Sequence, residues 1–467
     1  MSDTHSNFPP RRRPRRKPNR WPYLIAVLLI LLAVLCVTAI LLPRDREEPP
    51  APTDAPTVPS TEAPTDPPTL PPTEPPTEPP TEPPVVKTGS ATIAAMGDML
   101  MHMPCIRNAA DGDEYDFTPY FTNLKPYIEG ADFAVANLET TLAGLNNGYE
   151  YSGYPNFNCP DGIVTGLKST GFDLLLTANN HTYDTRSKGF HRTQEVIAQA
   201  GLLHTGTVPD AETPNYQIIE RNGIRIGMIC YTYEDNSDPD VVAPNGITMT
   251  DADENLINTF NNNDLDALYA NMEADIAAME AEGAEAIVLY IHWGVEYQTT
   301  ENSTQRTIAQ KMCDLGVDVI VGGHPHVIQP MDLLTSTADP EHKTVCLYST
   351  GNALSNQRRE RMRLDTGHTE DGIVFSFTFA RYSDGTVRVE EVDLIPTWVN
   401  LHTDSDTGKK VYDILPLDKN LPDWQADFDL TDSALKDARE SYDRTMDIVG
   451  EGLEEVNEYL ATLPEIE

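Results

Sequence analysis

Seven side chains able to hold a metal ion or move a proton stand just past short apolar runs. Asp98 follows "TIAAMG", Glu139 follows "FAVANL", Asn180 and His181 follow "LLLTAN", His292 follows "IVLYI", and His324 and His326 follow "VIVGG". Carboxylate, amide and imidazole groups together suit divalent ions such as manganese, iron or zinc, whereas calcium prefers oxygen alone. Two such ions about 3.5–4 Å apart, bridged by a carboxylate, would activate a water and stabilise the leaving oxygen of an ester. Singly, each residue has a plainer use: an aspartate after glycine can cap a helix, and a histidine near a strand end can be only a hydrogen-bonded structural residue. Their shared position is what marks them as a set.

That position depends on strands. "ATIAAMGD", "DFAVANLE", "FDLLLTANNH", "IRIGMICYTY", "AIVLYIHWG", "VDVIVGGHPH", "TVCLYSTGN" and "GIVFSFTFA" read as strands. "DGIVTGLKSTG", "GFHRTQEVIAQAG", "NDLDALYANMEADIAAMEAEG" and "STQRTIAQKMCDLG" read as helices between them. Alternation of the two predicts an α/β layered domain over 88–400, and open α/β sheets bind ligands beyond the carboxyl ends of their strands. Gly97, Gly322 and Gly323 are expected to let the backbone turn sharply and approach the ions closely. Asn179 is expected to shape its turn rather than bind.

The ordered blocks "GDMLMH", "VANLET", "TANNHTYD", "IHWGVEY" and "GGHPHVIQ" resemble the calcineurin-like metallophosphoesterase superfamily, and within it the CapA family of poly-gamma-glutamate capsule synthesis proteins. The resemblance spans roughly residues 91–355. It implies a four-layer αββα metallophosphoesterase-like sandwich with two divalent metal ions, manganese, iron or zinc. Asp98 and His326 would bind one ion, Asn180, His292 and His324 the other, and Glu139 would bridge them. His181 would be the general acid or transition-state donor, oriented by Asp184, and Trp293, Glu296 and Tyr297 would contact substrate. The superfamily usually opens with Asp-x-His, but position 100 is leucine; His102 could supply that ligand through a different turn.

Outside this domain, residues 1–20 carry seven basic side chains and one acidic, and 21–43 are uncharged and mostly apolar. About 20 such residues span a bilayer, and the basic flank places the N-terminus in the cytoplasm and the rest outside. A cleaved signal peptide competes with this reading, but the apolar run is long and lacks a small-x-small exit site. Residues 44–87 form a Pro/Thr/Glu-rich linker ending in "PPTEPPTEPPTEPP". At about 3.1 Å per residue, its proline-rich part could hold the domain roughly 100 Å from the membrane.

The chain carries a net charge of -40, and beyond residue 20 it has 26 basic against 72 acidic side chains. Nucleic acid is therefore not an expected partner. An anionic polymer would be repelled too, unless metals or Arg186, Lys188, Arg358 and Arg359 offset the charge. The six cysteines indicate no disulfide scaffold, although Cys105 and Cys159 lie in loop-like sequence and could pair in an oxidising compartment. The acidic extension 401–467 has an apolar stripe at Leu435, Tyr442, Met446, Val449, Leu453, Val456 and Leu460, which predicts a helix packed on the domain or on a partner.

The expectation is thus a membrane-anchored surface protein that helps make, export or attach an anionic polymer, acting on that polymer or on a phosphoester and alongside capsule-synthesis membrane proteins. A polymer-gripping factor without catalysis and a general cell-surface phosphoesterase are the alternatives.

Overall fold

The computed structural model describes residues 84–463, apart from 147, 235–237, 239, 240, 365 and 406. The basic tail, the apolar segment 21–43 and the linker as far as residue 83 lie outside the described residues. No helix among the described residues is long and apolar enough to cross a membrane.

The strands are, in order, β1 (Lys87–Met99), β2 (Phe133–Asn137), β3 (Leu174–Leu176), β4 (Leu203–Thr205), β5 (Tyr216–Arg221), β6 (Ile224–Glu234), β7 (Thr259–Asn261), β8 (Ala286–His292), β9 (Val319–Gly323), β10 (Ile328–Thr335), β11 (Lys343–Thr350), β12 (Asn352–Leu354), β13 (Asp371–Tyr382), β14 (Val387–Thr403) and β15 (Lys410–Pro416). They form an eight-stranded sheet in the order β15-β14-β13-β1-β2-β3-β4, with β12 beside β1. A seven-stranded sheet runs β10-β11-β9-β8-β6-β5, with β7 beside β6.

Both sheets are mixed: the first is antiparallel from β15 to β1 and parallel from β1 to β4, and the second has a parallel centre between antiparallel edges. All seven residues of β8 are buried, as expected of a strand with parallel neighbours and both faces covered. In β1 the side chains alternate between two cores, as the two-residue period of a strand requires. Ile93 and Ala95 join Val135, Leu174, Met228, Val288 and Phe377 between the sheets. Ala94 and Met96 face outward, packing with Ile163 and Leu167 of helix α1 (Gly162–Thr170) and Ile197 of α2 (Arg186–Gln199). The other sheet's outer face, with Ile287, Leu289 and Ile291, is covered by Met272 and Met279 of α3 (Leu265–Ala281) and by Ile308 and Met312 of α4 (Ser303–Asp314).

Helix α5 (Asp432–Thr462) is capped by Thr431 and packs on β10 and β14, one strand from each sheet. Val449 and Val456 enter the core between the sheets, while Leu435 and Tyr442 pack around Trp398. The first sheet thus continues through Pro416 before the chain closes over it.

Two expectations change here. Cys105 and Cys159 are both free and buried; they pack in one apolar cluster as small hydrophobes, and burial pushes the Cys105 thiol up to about 12. None of Gly97, Gly322 and Gly323 has a positive φ, so they do not make sharp turns. They permit close approach instead: a Cβ on Gly97 would lie 2.0 Å from the Gly351 carbonyl oxygen, and one on Gly322 1.9 Å from that of Tyr348.

Candidate metal centre

Parallel register aligns the strand ends that carry the site. Asp98 lies opposite Asn137, while His292 lies opposite Gly323 on one side and Thr232 on the other. The loops beyond these ends bring the two sheets together: the His324 amide donates to Asp98 Oδ2 at 3.2 Å, and a Cβ on Gly323 would lie 2.9 Å from Asp98 Oδ1.

Two triads result, sharing one residue. Ligand atoms of Asp98, Glu139 and His326 all lie within 4.8 Å of one another, and so do those of Glu139, His292 and His324. All five side chains are buried. Asn180 joins the second triad, its Oδ1 3.1 Å from His292 Nε2.

Glu139 tests whether this arrangement fits metal. It is fully buried and neither carboxylate oxygen has a hydrogen-bond partner; its nearest cationic candidates are His292 Nε2 at 3.5 Å and His326 Nε2 at 3.8 Å. An ionised carboxylate left so costs several kcal/mol by desolvation, roughly. Cations between it and the histidines would compensate it on both sides. The donor set fits divalent ions.

The neighbouring charges are tuned accordingly. Burial alone would raise the Asp98 pKa, but His326, His292 and Asn137 hold it below the usual carboxylate value. Burial, with His292 and His326 nearby, pushes His324 well below its ordinary value, so its ring is neutral, as a ligand must be. Burial opposes a charge on His326, yet Glu139 and Asp98 lift it to about 9. Its proton would leave when a metal binds.

His181 lies beside the centre with Nδ1 2.7 Å from Asp184 Oδ2. The Phe157 ring packs edge-on against it at 4.6 Å, and the Phe157 amide donates to the same carboxylate oxygen. Nε2 is therefore the ring nitrogen that Asp184 leaves unengaged. Asn179 donates to Asn137 Oδ1 and the Leu138 carbonyl, and Asn137 donates to Asp98 Oδ1 at 2.7 Å, so the turn after β3 orients the aspartate on β1.

Asn137, Tyr233 and Asn245 were not anticipated. Asn137 and Tyr233 stand at carboxyl ends of strands, the same signal that marked the other residues. The Tyr233 hydroxyl is 3.1 Å from His324 Nε2, and its ring lies parallel to His292 within 7°. Asn245 donates to Asp184 Oδ1 from a loop with left-handed backbone; nothing in "APNGIT" distinguishes it from an ordinary turn.

Other expected residues are placed differently. His102 belongs to neither triad; its Nδ1 is held near the Leu100 carbonyl and the Asn356 amide. Trp293 is buried, with its indole N–H donated to the Tyr348 carbonyl, so no polar atom of its side chain remains for substrate. Glu296 is exposed, and Tyr297 is half-buried with its hydroxyl accepting from Gln357. Arg358 and Arg359 are occupied by Glu370, Asp437 and Glu440, so they do not offset the surface charge. Left-handed backbone at Tyr297, His324 and His326 concentrates conformational cost at the centre, where packing must sustain it.

The profile of the family described as Bacterial capsule synthesis protein PGA_cap matches residues 92–357, which contain every residue of both triads. The capsule biosynthesis protein CapA of Bacillus anthracis is 27% identical over 281 residues, 57% of this chain and 60% of that one. The PGA biosynthesis protein CapA of Bacillus subtilis strain 168 is 26% identical over 280 residues, 59% of this chain and 64% of that one. The chain thus spans less than two thirds of the curated relatives it matches. Among solved structures, TT1561 of Thermus thermophilus aligns over 61% of this chain and 93% of that one, at 9% identity and a TM-score of 0.32, below the level of a shared fold.

Proposed function

The chain belongs to the PGA_cap family of bacterial capsule synthesis proteins, and from that premise we propose a membrane-anchored, extracellular CapA-like protein that synthesises, exports or anchors an anionic polymer of the poly-gamma-glutamate type. In this reading residues 21–43 are the anchor, with the N-terminus cytoplasmic, and 44–87 the stalk. The two facing sheets with helices outside are the four-layer αββα metallophosphoesterase-like sandwich. Capsule-synthesis membrane proteins are the partners, and nucleic acid is not.

The observation that carries the catalytic part is Glu139, buried without a hydrogen bond and shared by both triads. Asp98, Glu139 and His326 would hold one divalent ion, and Glu139, Asn180, His292 and His324 a second, with manganese, iron or zinc fitting the donors. Bound there, the ions would activate water and neutralise charge on the oxygens of a phosphoester. His181, doubly protonated with Nδ1–H donated to Asp184, would give its Nε2 proton to the leaving oxygen. Phe157 and Asn245 hold that pair in place.

A non-catalytic factor that grips polymer carboxylates through the metals is the second reading. The position of His102 outside both triads favours it, because the first triad then offers three carboxylate and imidazole ligands among the described residues.

Manganese-supported hydrolysis of a generic aryl phosphodiester by the purified protein separates the two. The hydrolase reading expects turnover that falls about 100- to 10,000-fold in His181→Ala. Metal bound without turnover in either protein favours the gripping factor.

A further inference from the structure

A cleft of about 520 Å³ opens directly off the metal centre, with Tyr233 and His324 at its inner end. Its walls are the loop after β8, with Val295 and Glu296, Asn262 just beyond β7, and the start of α4 at Thr304. A substrate reacting at the His324 end has to place an attached group here or leave the cleft to solvent. The cleft's chemistry is selective. Side-chain amide and hydroxyl groups line it together with the apolar Trp293, Val295 and Ile308, and its one charged side chain is the Glu296 carboxylate; no lysine or arginine lines it. Glu296 is exposed, with the Tyr297 hydroxyl as its side-chain hydrogen-bond neighbour. Away from the metals, a second anion in the cleft would meet that carboxylate with no lysine or arginine in the lining beside it, whereas an ammonium group would gain a charge-assisted hydrogen bond.

We propose that this cleft is the subsite for the non-reacting part of the substrate, and that it takes an ammonium-bearing, hydrogen-bonding group rather than a second anion. The proposal rests on the metal-centre reading above. The reacting group remains anionic and sits at the metals; what the cleft selects is the group joined to it.

The test uses the purified protein with manganese and three p-nitrophenyl phosphodiesters whose second arm is aminoethyl, hydroxyethyl or carboxyethyl. Release of p-nitrophenol should give kcat/KM in the order aminoethyl, hydroxyethyl, carboxyethyl, with at least tenfold between the ends at low salt. In Glu296→Gln the ratio of aminoethyl to hydroxyethyl should approach one. A best rate with the carboxyethyl arm, or an aminoethyl preference that survives Glu296→Gln, overturns the proposal. Calorimetric titration with 2-aminoethylphosphonate and 3-phosphonopropionate keeps the question separate from catalysis. Tighter binding of the aminoethyl compound, lost in Glu296→Gln, supports the cleft even if no ester is cleaved and the hydrolase reading fails; tighter binding of the carboxylate compound by both proteins overturns the cleft alone.

Discussion

The Tyr233 hydroxyl lies 3.1 Å from His324 Nε2, while Nδ1 of the same ring is buried without a partner. The contact engages one nitrogen and leaves the other available as a ligand atom, the arrangement by which an outer partner would fix a metal-binding histidine. Tyr233→Phe keeps the ring that lies parallel to His292 and removes only the hydroxyl. Manganese or zinc affinity, measured by calorimetric titration, should fall about 10- to 100-fold. Unchanged affinity would mean that the contact does not position His324.

Asp371 anchors α5 to the first sheet, accepting hydrogen bonds from Ser441 at 2.6 Å and from Arg444 at 2.7 and 2.9 Å. Arg444→Met would leave a buried carboxylate with one neutral donor, a loss of about 3–5 kcal/mol in denaturant unfolding at pH 7. Burial raises Asp371 to about 6 despite Arg444, so its protonated form favours the folded state. Stability from this group is fully present below the unfolded value of 3.8 and is lost as pH rises through 6. The variant, lacking the guanidinium, would be pushed higher still, so its deficit should shrink on acidification and widen above pH 6. A deficit independent of pH would point to lost packing instead.

The same helix meets β10 at Gly452, where a Cβ would lie 1.9 Å from the Met331 carbonyl oxygen. Gly452→Ala should cost about 1–3 kcal/mol as the helix is pushed off the strand. Two residues earlier, a Cβ on Gly450 meets only Met446 Cε at 3.8 Å, so Gly450→Ala should be neutral or stabilise by up to about 1 kcal/mol through helix propensity. Equal thermal shifts in the two variants would contradict this account of the close approach.

The sequence exposed β1, β2, β3, β8 and β9 because each has an apolar run followed by polar residues, but the three-residue parallel strands β4 and β7 were too short to show. It exposed the triads by the same rule. Strands β5, β10, β14 and β15 were missed, since antiparallel strands nearer the sheet margins mix polar and apolar residues, as "VRVEEVDLIPTWVNLHT" does. Asn137 escaped notice because Glu139 stands two residues on with the more obvious chemistry, and Tyr233 because tyrosine at a strand end reads as core. The ion pairing of Arg358 and Arg359 depends on residues 11 to 81 positions away in sequence, beyond any local pattern. The glycines were recognised for closeness to the centre, which holds for Gly323 beside Asp98, but Gly97 and Gly322 are required by a neighbouring backbone, which spacing alone does not reveal.

The central claim is that Glu139 is shared by two bound ions. Elemental analysis of the purified protein and of Glu139→Gln, each after manganese loading and gel filtration, tests it most directly. The account predicts close to two ions per chain in the natural protein and a marked loss in the variant, since both triads lose their common carboxylate. No retained metal in the natural protein, or undiminished metal in Glu139→Gln, would contradict it.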